Sequence, residues 1–585
     1  MRFKENLPVP MRDGTVLYGD LYCPDGAENE AYPSILVRTP YEKNGFHGGV
    51  TSDNGLAYVS PALYVEKGYA VFIQDCRGTG ESEGFFRPWM GDATDGYDTV
   101  EWMAQQPWCT GAVGMMGCSN LGSIQLLTAA SRPPHLKCIA PAGTSDGFPF
   151  VKDGVIDLAG TSIWYMQQAV KTTERAKVPQ KQLEQLKTKM KELQDNIEQQ
   201  FTYLPLREIP FAHVDEVQME QFFVEYVDHE GDAGFWTRDY NPIPVAAIEV
   251  PTLLIVNWYD HLARQMFMLY KKMSTFNPPA CKDNLYLYIG PWRVYAGIKG
   301  SDVEDCIPGD RPPQPVWANG KRLSDIQVDW FDHWLKDEKS EFDLQNHVFV
   351  QTLGANRGRY EAAWPLPGTN FVKYFLNSHD GANTCNGDGV LTTERPTAED
   401  TADRYTYDPM DPTPTRSGVV INPKDSLRQD QSAVEEREDV LCYTTAPFAE
   451  ETEITGPMSL RLWAATDCLD TDFVVKVIDV DPEGKPLNLT EGVVRARFKI
   501  GWEKPELLIP GAVYEYDIFI NGVGIVFPAG HALRIEVSSC NFPKWDRNLN
   551  TGDSLGQKAE YCVAHQTIYH DRRHPSYLLV PVIHN

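Results

Sequence analysis

Long apolar runs are missing from this sequence. No stretch of the 585-residue chain approaches the ~18 consecutive apolar residues that cross a bilayer as a helix, so a membrane-embedded protein is not expected. The opening RFKENLPVP after Met1 has no apolar h-region, and no secretory signal is expected. Paired cysteine motifs are missing too. The 12 cysteines are scattered without a C-x-x-C, which favours free thiols in a reducing compartment over disulfides or a zinc site. The expected location is cytoplasmic. Basic residues are scarce: 53 Lys and Arg against 81 Asp and Glu leave a net charge of -28. Nucleic acid and anionic membrane, which need a basic surface, are therefore not expected partners. Internal repeats and low-complexity tracts are also absent.

What is present is an ordinary globular composition, 42% hydrophobic and 23% charged, on a chain too long for one core. Residues 1–145 alternate strand-like and helix-like segments. PSILVR (33–38), YAVFIQD (69–75), GAVGMMG and KCIAPAG (137–143) are unbroken apolar runs of the kind that buried parallel strands show. Helical stretches such as DTVEWMAQQ (98–106) lie between them, which makes a βαβ pattern. Residues 146–240 are polar and helical. Leu183, Leu186, Met190, Leu193 and Ile197 form one apolar stripe there, as on the helix of an inserted cap. The βα pattern returns over 241–345 with PTLLIVNWYD, NLYLYIG and a helix through VDWFDHWLKD. From 346 to 585, HVFVQTLG, KYFLN, MSLRLWAAT, DFVVKVIDV, YEYDIFI and ALRIEVSS predict an antiparallel β-sandwich.

Two motif-like stretches carry no ligand. RGTGESEG (77–84) has Glu83 where G-x-G-x-x-G needs its third glycine, so no dinucleotide cofactor is expected. DVDPEGKPLNLTEG begins like a calcium loop, but its twelfth position is Thr490, and a hairpin turn is the better reading. No His/Cys/Glu spacing supports a metal. Asp75 and Arg77 in QDCRG are expected to form a structural ion pair.

The chemistry points to VGMMGCSNLGSIQLLTAA (113–130). An apolar strand enters a glycine, reaches Ser119, and leaves through Gly122 into a helix, which is how a sharp turn presents a serine nucleophile. Cys118 is the weaker nucleophile candidate, because the turn aims Ser119 outward.

The chain resembles the CocE/NonD, or cocaine-esterase-like, hydrolases related to X-Pro dipeptidyl-peptidases. VPMRDGTVLYGDLYCP, RTPYEKNG, QDCRGTGESEG, WCTGAVGMMGCSNLG, NWYDHL, IGPW, DTDFVVKVIDVDPEG, SSCNFPKWDRNLNTG and HPSYLLVPVI match in order over nearly the whole length. The resemblance implies an α/β-hydrolase core with an inserted helical cap and a C-terminal antiparallel β jelly-roll. It puts the nucleophile at Ser119 and oxyanion donors at the Asn120 backbone N–H and the Tyr41 hydroxyl. The acid that orients the histidine falls at Asp260.

The histidine does not follow. The family's G-P-W-x-H reads Gly290-Pro291-Trp292-Arg293-Val294 here, and no histidine occurs between His261 and His333. His333 lies on a helix with a structural role. Arg293 cannot act as a base, and Asn120 stands where the family usually has an aromatic residue. In a serine-protease triad, loss of the histidine costs on the order of 10⁶ in rate. The sequence therefore predicts a pocket reused for non-hydrolytic chemistry on a small, largely apolar carbonyl or acyl compound. Cyclisation, isomerisation or C–C bond cleavage or formation would fit, with Asp260 or Ser119 moving protons and Arg293 as a modulator. The alternatives are an esterase, amidase or acyltransferase whose base is relocated to His261, and a non-catalytic binding protein. Adjacent residues at a strand end point in different directions, which weighs against His261. No cofactor is expected, and a homodimer is compatible with the reading.

Overall fold

The computed structural model describes residues 1–26, 30–46, 61–146, 243–258, 260–290, 323–336, 342–354, 358–379, 381–399, 401–416, 428–501, 504–554 and 556–583, with interrupted stretches between 151 and 229. Ten strands form the first sheet: β1 (Arg2–Pro10), β2 (Val16–Cys23), β3 (Tyr32–Thr39), β4 (Ala70–Asp75), β5 (Cys109–Cys118), β6 (Leu136–Ala142), β7 (Thr252–Asn257), β8 (Leu285–Gly290), β9 (Val348–Gln351) and β10 (Gly358–Glu361). Their spatial order is β1-β2-β4-β3-β5-β6-β7-β8-β9-β10. Neighbours from β4 to β9 run parallel, and the outer pairs are antiparallel.

The unbroken apolar runs have a direct cause, because both faces of the sheet are covered. Leu36, Leu254 and Val256 point into one cluster with residues of the helices α2 (Asp92–Ala104), α3 (Asn120–Ala130) and Ala263–Phe276. Ile35, Val37, Leu253 and Ile255 point the opposite way, onto α1 (Pro61–Glu66) and the helix Leu323–Lys336. A helix over Gln180–Asp195 carries Leu183, Leu186, Met190 and Leu193 of the stripe expected in the insertion, and Ile197 lies outside the described residues.

Eleven strands form the second sheet, between Thr369–Asn377 and Tyr577–Ile583. Thr452–Thr466 pairs antiparallel with Tyr514–Phe527 on one side and with Tyr577–Ile583 on the other, so this sheet closes on itself as a jelly-roll-like barrel. The hairpin read at Asp481–Lys485 is there, closed by the Gly484 and Lys485 amides on Asp481.

Two sequence expectations change. HVFVQTLG, read as the first sandwich strand, instead adds to β8 in parallel as β9, because its four buried residues complete the first sheet. Asp75 and Arg77 do not pair. Asp75 accepts the Lys43 backbone N–H at 2.7 Å, whereas Arg77 binds Asp95 at 2.6 Å and Asp13 at 2.9 Å. β4 ends at Asp75 and Arg77 lies in the turn beyond it, so the two side chains leave the strand end separately and each finds its own partners. Among the described residues no helix is long and apolar enough to cross a membrane.

Candidate active site

The C-terminal edge of the parallel sheet carries the site, where open α/β sheets place ligands. β5 ends at Cys118, and Ser119 turns the chain into α3 with φ 60° and ψ -125°. A non-glycine residue at positive φ is strained, and such strain persists where the surroundings enforce it. Here the Ser119 N–H donates to Ala142 O at 2.9 Å, and Gly122 lets the helix approach Thr144, whose Cβ would lie 2.7 Å from any added Cβ. Gly122 is thus required by packing. Ser119 keeps partial exposure between buried Cys118 and buried Asn120. The Cys118 thiol is pushed well up by burial and by the Asp260 charge, so it stays protonated and inert.

Tyr41 follows β3 and is 8% exposed. Its hydroxyl accepts the Trp164 indole N–H at 3.0 Å and has the Ser119 side chain among its neighbours. Burial pushes the phenol up to about 12, against the pull of Trp164 and Ser119. It therefore remains a neutral donor through the ordinary pH range. The loop carrying it is anchored from both sides. The Tyr41 N–H binds Thr39 Oγ1, Lys43 Nζ sits 3.6 Å from both Asp20 and Asp75, and Lys171 Nζ donates to Tyr41 O at 2.7 Å. The Asn120 N–H, first in α3, has no intrahelical acceptor by position and lies at the positive end of the helix dipole.

Asp260 lies just past β7 and is 3% exposed. Its Oδ1 accepts the Leu262 N–H at 2.8 Å, and its Oδ2 accepts Asn257 Nδ2 at 3.1 Å. His261 Nδ1 stands 3.3 Å from Asp260 Oδ1. The expectation that Asp260 and His261 point apart therefore fails: β7 has already ended at Asn257, and the turn into Ala263–Phe276 folds the carboxylate back over its neighbour. Both sheets brace this turn. Trp258 Nε1 donates to Gln351 O at 2.7 Å, and Gly524 admits the Trp258 ring where a Cβ would lie 2.5 Å from it. Arg293 and Val294 lie outside the described residues.

The structure thus brings Ser119 and Tyr41 together with Asn120, and Asp260 with His261. Trp164, Lys171 and Asn257 were missed in the sequence. Only Asn257, a polar residue closing the apolar run TLLIVN, left a signal there; nothing in the spacing of the polar insertion links Trp164 or Lys171 to Tyr41.

Residues 13–293 match the X-Pro dipeptidyl-peptidase (S15) family, and residues 340–579 match the X-Pro dipeptidyl-peptidase C-terminal non-catalytic domain. The chain is 33% identical to the cocaine esterase of Rhodococcus sp. (strain MB1 Bresler), over 99% of this chain and 98% of that one. Among solved structures, an aminopeptidase from a marine sediment Thaumarchaeota archaeon superposes with TM-score 0.81 at 23% identity, covering 100% of this chain and 96% of its own. An alpha-amino acid ester hydrolase superposes with TM-score 0.73 at 23% identity, covering 99% and 96%. These two likenesses carry the fold. The match to the esterase and the peptidase family overturns the expected cyclisation, isomerisation or C–C bond chemistry: the relatives are hydrolases. One unmatched histidine position weighs less than a match that runs over the whole chain and a strained serine turn that is still present.

Proposed function

The chain belongs to the CocE/NonD family of hydrolases, and from that premise we propose that it hydrolyses esters of small acyl groups through Ser119. The observation that carries the reading is the strained Ser119 turn beside a buried, neutral Tyr41. Ser119 Oγ attacks the carbonyl carbon. The oxyanion is held by the Tyr41 O–H and the Asn120 N–H, each such donor contributing roughly 3 kcal/mol to the transition state. His261 takes the Ser119 proton at Nε2 and returns it to the departing alkoxide. Water then attacks the acyl-enzyme with the same histidine as base, which frees the acid and restores Ser119. Asp260, itself held by Leu262 N–H and Asn257 Nδ2, orients His261 through Nδ1.

A fluorophosphonate probe tests this reading. The expected result is covalent labelling of Ser119, seen by peptide mass, and its loss in Ser119→Ala and His261→Ala. Unlabelled wild-type protein overturns the hydrolase reading, and labelling that persists in His261→Ala overturns His261 as the base.

A further inference from the structure

Helix α3 carries two buried carboxamides, and they are treated differently. Gln125 is fully satisfied inside the protein: its Nε2 donates to Gly117 O at 3.0 Å and Leu121 O at 3.1 Å, and its Oε1 accepts the Ala140 N–H at 3.0 Å. Asn120 is 6% exposed, yet its Nδ2 has no acceptor among the described residues. A buried donor left unmade is destabilising, and native proteins keep such groups where a ligand or an ordered water completes them. Asn120 is also the residue whose backbone N–H serves the reacting carbonyl, and Nδ2 is only three bonds from its Cα. An acceptor meeting Nδ2 therefore lies close to that carbonyl.

We infer that the Asn120 side-chain amide selects the acyl group of the substrate, donating to an oxygen on the carbon next to the reacting carbonyl, so that the site prefers α-alkoxy or α-hydroxy acyl esters to plain alkanoyl ones. This rests on the reading of Ser119 as a hydrolytic nucleophile. It also gives a reason for an asparagine where an aromatic side chain would offer no carboxamide donor.

An isosteric pair of substrates tests it. 4-Nitrophenyl methoxyacetate and 4-nitrophenyl butyrate differ by one ether oxygen in place of a methylene. Each kcat/KM is divided by the ester's rate constant with hydroxide, to remove intrinsic reactivity. The wild-type enzyme is expected to favour the methoxyacetate, and the preference is expected to fall about fivefold to tenfold in Asn120→Ala, the worth of one hydrogen bond. Asn120→Asp keeps the size and suits a helix N-terminus, so it supplies the same readout if the alanine variant does not fold. Fluorophosphonate labelling of Ser119 is measured on every sample. An unchanged preference in labelled variants overturns the inference. A wild type that is neither labelled nor active overturns the hydrolase reading, and the inference with it.

Discussion

In the second sheet, Ser378, Asp403 and His570 form a buried cluster, with exposures of 6%, 3% and 1%. Ser378 Oγ donates to Asp403 Oδ1 at 2.7 Å and stands 3.2 Å from His570 Nε2, which itself lies 3.1 Å from Asp403 Oδ2. In composition this is a complete Ser-His-Asp set, whereas the Ser119 site has Asp260 and His261 adjacent in sequence and Val294 at the family's histidine position. Geometry reverses the ranking. Serine and aspartate share one nitrogen of His570, the other nitrogen (Nδ1) has no partner among the described residues, and the serine proton is committed to the carboxylate. Ser378 has no positive φ and opens no helix. Ser119 has both, together with Tyr41. A triad is recognised by roles and not by its residue list.

The largest expected effect separates the two serines. Ser119→Ala should lower kcat for a 4-nitrophenyl ester by on the order of 10⁶, while Ser378→Ala should leave kcat unchanged. Equal losses would erase the distinction. Next in size, Tyr41→Phe should lower kcat by about 10²–10³ with little change in KM, as removal of one oxyanion donor does. The β-domain cluster should answer in stability instead. Asp403→Asn breaks a buried pair and should cost about 3 kcal/mol, read by denaturant unfolding, with kcat of the folded fraction retained.

That cost should also depend on pH. Burial alone would raise the Asp403 carboxyl, but hydrogen bonds from His570, Tyr443 and Ser378 hold it below the ordinary range. A depressed carboxyl contributes stability that is present above its unfolded value near ~3.9 and lost as pH falls through the folded one. The gap between wild type and Asp403→Asn should therefore narrow below pH ~4. The smallest effect is spectroscopic: the absorbance difference between wild type and Tyr41→Phe should show no phenolate until pH nears about 12.

Much of the fold was legible because burial on both faces leaves a one-dimensional trace. ILVR, VFIQD and TLLIVN could hardly be other than covered parallel strands, and Gly117, Ser119 and Gly122 mark a turn that tolerates only small residues. HVFVQ was ambiguous, since a short buried run reads the same in either sheet. The acid–base side of the site was less legible. Whether Asp260 and His261 meet depends on a turn past the strand end, and that turn is braced by Gly524, more than 260 residues away.

The sequence by itself determined the parallel sheet, the nucleophile turn and the residue types offered to it, because strand burial, strained turns and small-residue packing are local demands on the chain. Only the tertiary structure decided which serine sits at a strained turn opening a helix and which is locked to a carboxylate, how Trp164 and Lys171 hold Tyr41, and that Asp260 folds back onto His261. Those outcomes depend on distances between residues far apart in the chain, which residue order alone does not encode in a readable period.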